Sequence, residues 1–183
     1  MTDVSKYSNS EVITPMSIVE DMVDLLPADV FRLESKFLDI ACKSGRFLAS
    51  IYNRLITSDA MIQAFPDMQD RHNHIVNNQL YGIATSSLAA TIARKQIYNN
   101  PIHVGNIVYQ PGKFTSESVQ GVFENMKFDV VIGNPPYNND IYLDFVELGH
   151  KLADKCSCWI TPAKWQAKGG ARMNHSERIL SPT

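Results

Sequence analysis

The run Phe128-Asp129-Val130-Val131-Ile132 passes without a break into Gly133-Asn134-Pro135-Pro136-Tyr137. A short, largely β-branched run that stops at turn residues reads as a strand buried on both faces, and such strands belong to parallel sheets covered by helices. In open α/β sheets, ligands sit just beyond the carboxyl ends of the strands, which is where this loop falls. Two successive prolines fix φ and stiffen the loop. Neither proline carries an N–H, so the carbonyls of Asn134 and Pro135 face no local ladder that would occupy them. Together with the Asn134 amide and the flat ring of Tyr137, they suit a planar ligand with an exocyclic amino group.

Asn134-Pro135-Pro136-Tyr137 resembles the catalytic motif of N6-adenine DNA methyltransferases. The resemblance implies that Asn134 and Pro135 bind and orient the adenine amino group. Two acceptors taking both N6 hydrogens favour a tetrahedral nitrogen, whose lone pair is then free to attack a sulfonium methyl. Tyr137 would stack on a base that has left the duplex, as base-modifying enzymes require. The same four residues occur in some RNA and protein-glutamine methyltransferases, so the motif specifies reaction class more closely than substrate.

Length and composition set the frame. A chain of 183 residues suits one domain with a substantial core. A formal charge of −2 gives no support to strong nonspecific nucleic-acid binding. There is no apolar run long enough to span a membrane and no signal peptide. Cys42, Cys156 and Cys158 form neither a disulfide framework nor a zinc spacing, which points to a cytoplasmic protein.

Residues 1–12 are polar and aperiodic and read as a flexible arm. Thr14 is expected to cap a helix that has Pro15 in its first turn, with Ile18, Val19, Met22, Val23 and Leu26 at helical spacing. The segment resembles the Thr-Pro element of the adenine methyltransferases, which implies that Thr14 and Pro15 touch the methionine end of the cofactor.

Next comes Phe37-Leu38-Asp39-Ile40-Ala41-Cys42-Lys43-Ser44-Gly45-Arg46-Phe47-Leu48. A strand enters a small-residue turn, and a helix is expected from near Ser44 through Leu55. Its N-terminus offers free N–H groups and a positive dipole end, which suit a carboxylate. The stretch resembles the S-adenosylmethionine loop Leu-Asp-Pro-Ala-Cys-Gly-Ser-Gly-x-Phe-Leu, with Ile40 where proline is usual and Lys43 where glycine is usual. This implies cofactor contacts from Asp39, Ala41, Lys43, Ser44, Gly45 and Phe47. Lys43 either reaches the cofactor carboxylate or points to solvent. A phosphate-binding P-loop needs glycines where Cys42 and Phe37 stand, so that rival fails.

Residues 57–78 read as polar and irregular, and His72 and His74 lack a nearby third ligand. Leu80–Ala84 reads as the second strand, followed by a helix capped by Ser86 or Ser87. The second methyltransferase motif, which this stretch resembles, carries an acidic residue that grips the ribose hydroxyls. Ala84 stands in its place, and Thr85 offers one weaker hydrogen bond. Residues 103–108 read as a third strand. There Asn106 is either the residue that meets the cofactor's adenine amino group or a turn asparagine. Residues 110–125 read as a loop. A helix capped by Asp140 or an adjacent asparagine carries Ile141, Phe145, Leu148 and Leu152 on one face, and Gly149 weakens it slightly. A fifth strand is expected near 157–161. It is followed by a loop over 163–171, resembling the one that lines the target-base pocket, and by a last helix over 173–180.

Strand and helix alternate, which predicts a doubly wound, mostly parallel α/β sheet. The order of motifs resembles the gamma group of amino-methyltransferases of restriction-modification systems, over roughly residues 11–180. This implies a Rossmann-like S-adenosylmethionine-dependent methyltransferase fold, a catalytic domain over 13–183, and methyl transfer to adenine N6 in DNA with no metal. Only five of the usual seven strands are expected, so the sheet reads as incomplete at its C-terminal end. The target-recognition region is then expected on a longer chain or on a partner subunit, with homo-oligomers also possible. The cluster Lys164, Lys168, Arg172 and Arg178 is either a backbone contact or a solvated face. Two other classes stay open: a methyltransferase acting on RNA or protein glutamine, and a noncatalytic or partner-dependent cofactor-binding module.

Overall fold

A computed structural model describes residues 13–111, 115–123, 126–137 and 140–162. The arm at 1–12, the loop and helix expected over 163–180 and the basic cluster beginning at Lys164 lie outside them. The elements run α1 (Met16–Asp24), β1 (Phe37–Cys42), α2 (Arg46–Ile56), α3 (Asp59–Ala64), α4 (Met68–Asn78), β2 (Leu80–Ala84), α5 (Ser87–Tyr98), β3 (Ile107–Tyr109), α6 (Ser116–Gln120), β4 (Phe128–Gly133), α7 (Ile141–Leu152) and β5 (Ala153–Trp159). The strands form one sheet in the order β3-β2-β1-β4-β5, and every pairing is parallel.

Helices cover both faces, as a doubly wound sheet requires. On one face Val19, Val23, Leu48, Ile51, Leu55 and Ala93, from α1, α2 and α5, pack on Phe37, Val130 and Ile132. On the other, Val119 of α6 and Phe145 and Leu148 of α7 pack on Leu38, Ile40, Ile83 and Val131. Each fully buried Val, Leu, Ile or Phe contributes roughly 1.5–3 kcal/mol relative to exposure, so the core is concentrated around the central strands. All six residues of β1 are buried, whereas β5, at the edge, holds only half-buried and exposed residues.

Several expectations are corrected. Residues 57–78 are not irregular but form α3 and α4. Ser58 caps the first by accepting from Met61 N–H (3.3 Å), and Asp67 caps the second by accepting from Gln69 and Asp70 N–H (2.8 and 3.0 Å). These short helices bury only Met61, Ile75 and Val76, too few for a legible apolar stripe. The Arg71 guanidinium, at the start of α4, donates to the carbonyls of Ile56, Phe65 and Pro66, tying α4 to the ends of α2 and α3. The two histidines are used in packing: His72 Nδ1 meets the Tyr52 hydroxyl at 3.0 Å and His74 Nε2 meets the Leu33 carbonyl at 2.9 Å.

The stretch 110–125 holds α6, closed by a capping box between Thr115 and Ser118. β5 starts at Ala153, directly after α7, rather than near 157. Asp140 occupies the N-cap position of α7 in a left-handed conformation (φ 59°) and makes no side-chain capping bond. Gly149 has a packing role: the ring of Trp159 lies where a Cβ would stand. Ser86 caps α5 as expected, accepting from Ala89 N–H at 3.1 Å.

Candidate functional site

The site forms where β1 and β4 end side by side. Phe37, Leu38 and Asp39 pair with Val130, Val131 and Ile132, which carries Gly133 and Asn134 to the edge beside the turn after β1. The register of β1 against β2 shifts between Asp39 and Cys42, an irregularity after which Cys42 pairs with Ala84. Asp39 makes that irregularity tolerable, because its Oδ1 accepts from Ala41 N–H at 3.2 Å. Burial raises the Asp39 carboxyl to about 7, against the lowering effects of that N–H, the nearby Lys43 charge and the Cys42 thiol. Burial also raises the Cys42 thiol, and the Asp39 charge adds to the shift.

Gly45 sits at the N-cap of α2 with φ 76°, in the left-handed region where glycine costs least. A Cβ there would stand 3.2 Å from Ala93 Cα of α5, so both backbone conformation and close helix approach call for glycine. The helix begins at Arg46 rather than near Ser44. Arg46, which sequence reasoning passed over, donates from Nη1 to the Thr14 carbonyl at 2.8 Å. Thr14 does not cap α1: Pro15 holds the N-cap position without a side-chain bond, and the Thr14 hydroxyl accepts from Asn134 Nδ2 at 3.3 Å.

Asn134 is 8% exposed, and its Oδ1 accepts from the Tyr137 hydroxyl at 2.5 Å. Pro135 is buried, Pro136 half-buried, and Tyr137 exposed with its ring edge-on to Tyr142. Partial burial raises the Tyr137 hydroxyl above its ordinary value. Thr14, Asp39, Ala41, Lys43, Ser44, Gly45, Arg46, Phe47 and Asn134 together line one open cleft. The structure thus brings together eight of the residues singled out from the sequence, and adds Arg46 to them.

The other half of the carboxyl edge differs. Ala84 ends β2 beside Cys42, fully buried, and Thr85 N–H donates to the Cys42 carbonyl at 3.2 Å. The Thr85 hydroxyl is buried and has no hydrogen-bond partner among the described residues. Pro15 and Asn106 are not among the residues lining the cleft. Asn106 stands before β3, not after it: its N–H donates to the Tyr98 hydroxyl (2.9 Å) and its Nδ2 to the carbonyl of Asn77 near the end of α4 (2.8 Å). It therefore lies at the amino edge of the sheet, opposite the cleft, directly after Gly105 (φ 48°). Because Ala84 pairs with Tyr109, the residue at that carboxyl edge is Gln110. The signal that would have found it is position after the strand instead of before it.

The model of the N-6 DNA Methylase family matches residues 1–170. The chain belongs to that family. It is 25% identical to an uncharacterised adenine-specific methylase of Mycoplasma pneumoniae, a match spanning 88% of this chain and 57% of the relative. Among solved structures it resembles a modification subunit of a putative type I restriction enzyme from Vibrio vulnificus YJ016, at TM-score 0.65 and 16% identity, covering 96% of this chain and 39% of that one. The type I restriction enzyme EcoKI M protein is similar at TM-score 0.64 and 16% identity, covering 90% of this chain and 36% of that one. The family member thus spans little more than half the length of the curated relative and under two-fifths of either solved chain. Those likenesses show the methyltransferase fold, and a family of this kind needs a methyl donor. No helix among the described residues is long and apolar enough to cross a membrane.

Proposed function

We propose that this family member transfers a methyl group from S-adenosylmethionine to the N6 amino group of adenine in DNA, as the modification component of a restriction-modification system. The observation that carries the reading is the buried Asn134 amide, held at the end of β4 on the rim of the cleft formed by the β1 turn. Its Oδ1 takes one N–H of the target amine and the Pro135 carbonyl the other, while Tyr137 stacks on the extruded base.

The chain's residues fit the methyl donor. The cleft is open to solvent and lined by residues suited to the amino-acid end of such a ligand, and the remainder would lie across the tips of β1 and β2. Asp39 would face the ammonium, Lys43, Ser44 and the start of α2 would face the carboxylate, and the absent side chain of Gly45 would leave the backbone open to approach. The Thr85 hydroxyl, without a partner among the described residues, stands after β2, where a ribose hydroxyl could complete it. When bound, S-adenosylmethionine supplies an electrophilic sulfonium methyl. Residues 13–183 form the catalytic domain in this reading, and DNA recognition comes from a further region or from a partner subunit.

Ala84 favours a second reading, a partner-dependent cofactor module, because it carries no carboxylate for the ribose. The test is transfer of labelled methyl to DNA, RNA and protein fractions by wild type and by Asn134→Ala, with calorimetry on the cofactor alongside. Label in adenine N6 of DNA that vanishes in Asn134→Ala supports the proposal. Label in RNA or protein alone overturns it.

A further inference from the structure

A carboxamide carries its donor and its acceptor on opposite arms. Asn134 can therefore offer oxygen to an incoming amine only while its nitrogen is turned away to a partner of its own. That partner is Thr14, whose hydroxyl receives Nδ2 at 3.3 Å in a buried contact. The oxygen arm accepts from the Tyr137 hydroxyl at 2.5 Å, a donor placed where the amine's N–H would come. Thr14 is itself well held. It is 8% exposed, Pro15 follows it at φ −56°, and its carbonyl takes the Arg46 Nη1 at 2.8 Å. Its hydroxyl is not used to cap α1, the use its place ahead of Pro15 would invite.

We propose that Thr14 is a positioning residue: its hydroxyl fixes the Asn134 amide with oxygen toward the reacting amine, and Arg46 fixes Thr14. The inference rests on the adenine-amino reading of the preceding subsection. Without the hydroxyl, the amide is free to turn and present N–H to N–H, an arrangement in which neither donor is satisfied. Arg46 begins α2, so the same chain of contacts ties the turn that would hold the cofactor to the amide that would hold the substrate.

The test compares Thr14→Val, which keeps the shape and removes the hydroxyl, with Thr14→Ser, which restores it. The first readout is the side-chain amide resonance pair of Asn134 in the 183-residue chain, assigned by its loss in Asn134→Ala. In Thr14→Val the pair shifts and its exchange with water quickens by about tenfold, the change expected from losing one hydrogen bond. In Thr14→Ser it returns toward wild type. The second readout is single-turnover methyl transfer to an adenine-containing oligonucleotide against cofactor affinity from calorimetry. Thr14→Val lowers transfer by about tenfold and moves the cofactor Kd less than about threefold.

Unchanged amide resonances in Thr14→Val overturn the inference, as does Thr14→Ser behaving like Thr14→Val. A loss of cofactor affinity equal to the loss of transfer also overturns it, because the hydroxyl would then be serving the cofactor. Transfer that persists in Asn134→Ala removes the adenine-amino reading instead, and the amide resonances still report on the Thr14 contact. Where even the wild-type chain transfers nothing to the oligonucleotide, the amide resonances alone decide.

Discussion

Two halves of one sheet edge can be compared directly. Where β1 and β4 end, polar side chains are buried together: Thr14, Asp39 and Asn134 are each under a tenth exposed, and each makes a hydrogen bond. Next door, β2 ends on the methyl group of Ala84, and the one buried hydroxyl, that of Thr85, has no partner among the described residues. Burying polar groups is costly unless they are paired, and here each is paired: Thr14 with Asn134, and Asp39 with the Ala41 N–H. The difference teaches that buried, paired polar groups are concentrated where β1 and β4 end, and under the proposed function the ribose end would be the weaker half.

The largest effect is expected from the strong half. Asn134→Ala should lower kcat in the complete enzyme by on the order of 10²–10³-fold, the cost of losing one preorganised hydrogen-bonding group, while the cofactor Kd in calorimetry stays close to wild type. Full activity would break the comparison. Ala84→Glu should strengthen the weak half: a carboxylate bonded to the ribose raises cofactor affinity by roughly ten- to a hundredfold. The ligand-free variant should melt lower than wild type, since the added charge has no partner at a fully buried position. An unchanged Kd would show that the cofactor does not cross the β2 tip.

A pH series sharpens the contrast further. Burial raises Asp39 to about 7, so the folded protein carries that carboxyl protonated below neutrality. A cationic amine prefers the ionised form, so cofactor affinity should fall as pH drops below about 7, by up to about tenfold per unit. Asp39→Asn should flatten the dependence. For stability the sign is opposite. A carboxyl whose folded value is raised favours the fold fully below about 4, its value in the unfolded chain, and that contribution is lost as pH rises to about 7. Asp39→Asn should therefore gain stability over wild type as pH rises through that window, read as midpoints of denaturant unfolding. The smallest effect belongs to Asn106→Ala, at the opposite edge. It should cost about 1 kcal/mol through the lost bond to the Asn77 carbonyl and leave cofactor binding unchanged.

The central strands were legible because Phe37–Cys42 and Phe128–Gly133 are apolar runs ended by small or turn residues, a pattern with few alternatives. Lys43, Ser44, Gly45 and Asn134 were legible for the same reason, since they follow those runs directly. The contacts of Thr14 were not, because its hydroxyl had two physically sound uses and only tertiary structure chooses between them. α3 and α4 escaped notice although Ser58 and Asp67 both announced a cap, since short helices resting on Met61, Ile75 and Val76 show no apolar stripe. Asn106 was read inside the third strand, whereas it stands just before β3. The run 103–108 suggested that β3 began earlier, but the left-handed turn at Gly105 delays it to Ile107 and turns Asn106 toward α4.

The contact between Thr14 and Asn134 also carries a consequence for how the molecule comes into being. The two residues are 120 positions apart in the chain. At the ordinary pace of protein synthesis, roughly 6–24 s separate their appearance. During that interval the first three strands and the glycine turn exist, while the flank of β1 that will receive β4 stays open. Contacts between residues so distant in sequence are also the slow ones to form. The glycine turn is therefore made before Asn134, and a nascent chain that stalls short of β4 carries a bare strand edge and a Thr14 hydroxyl without its Asn134 partner.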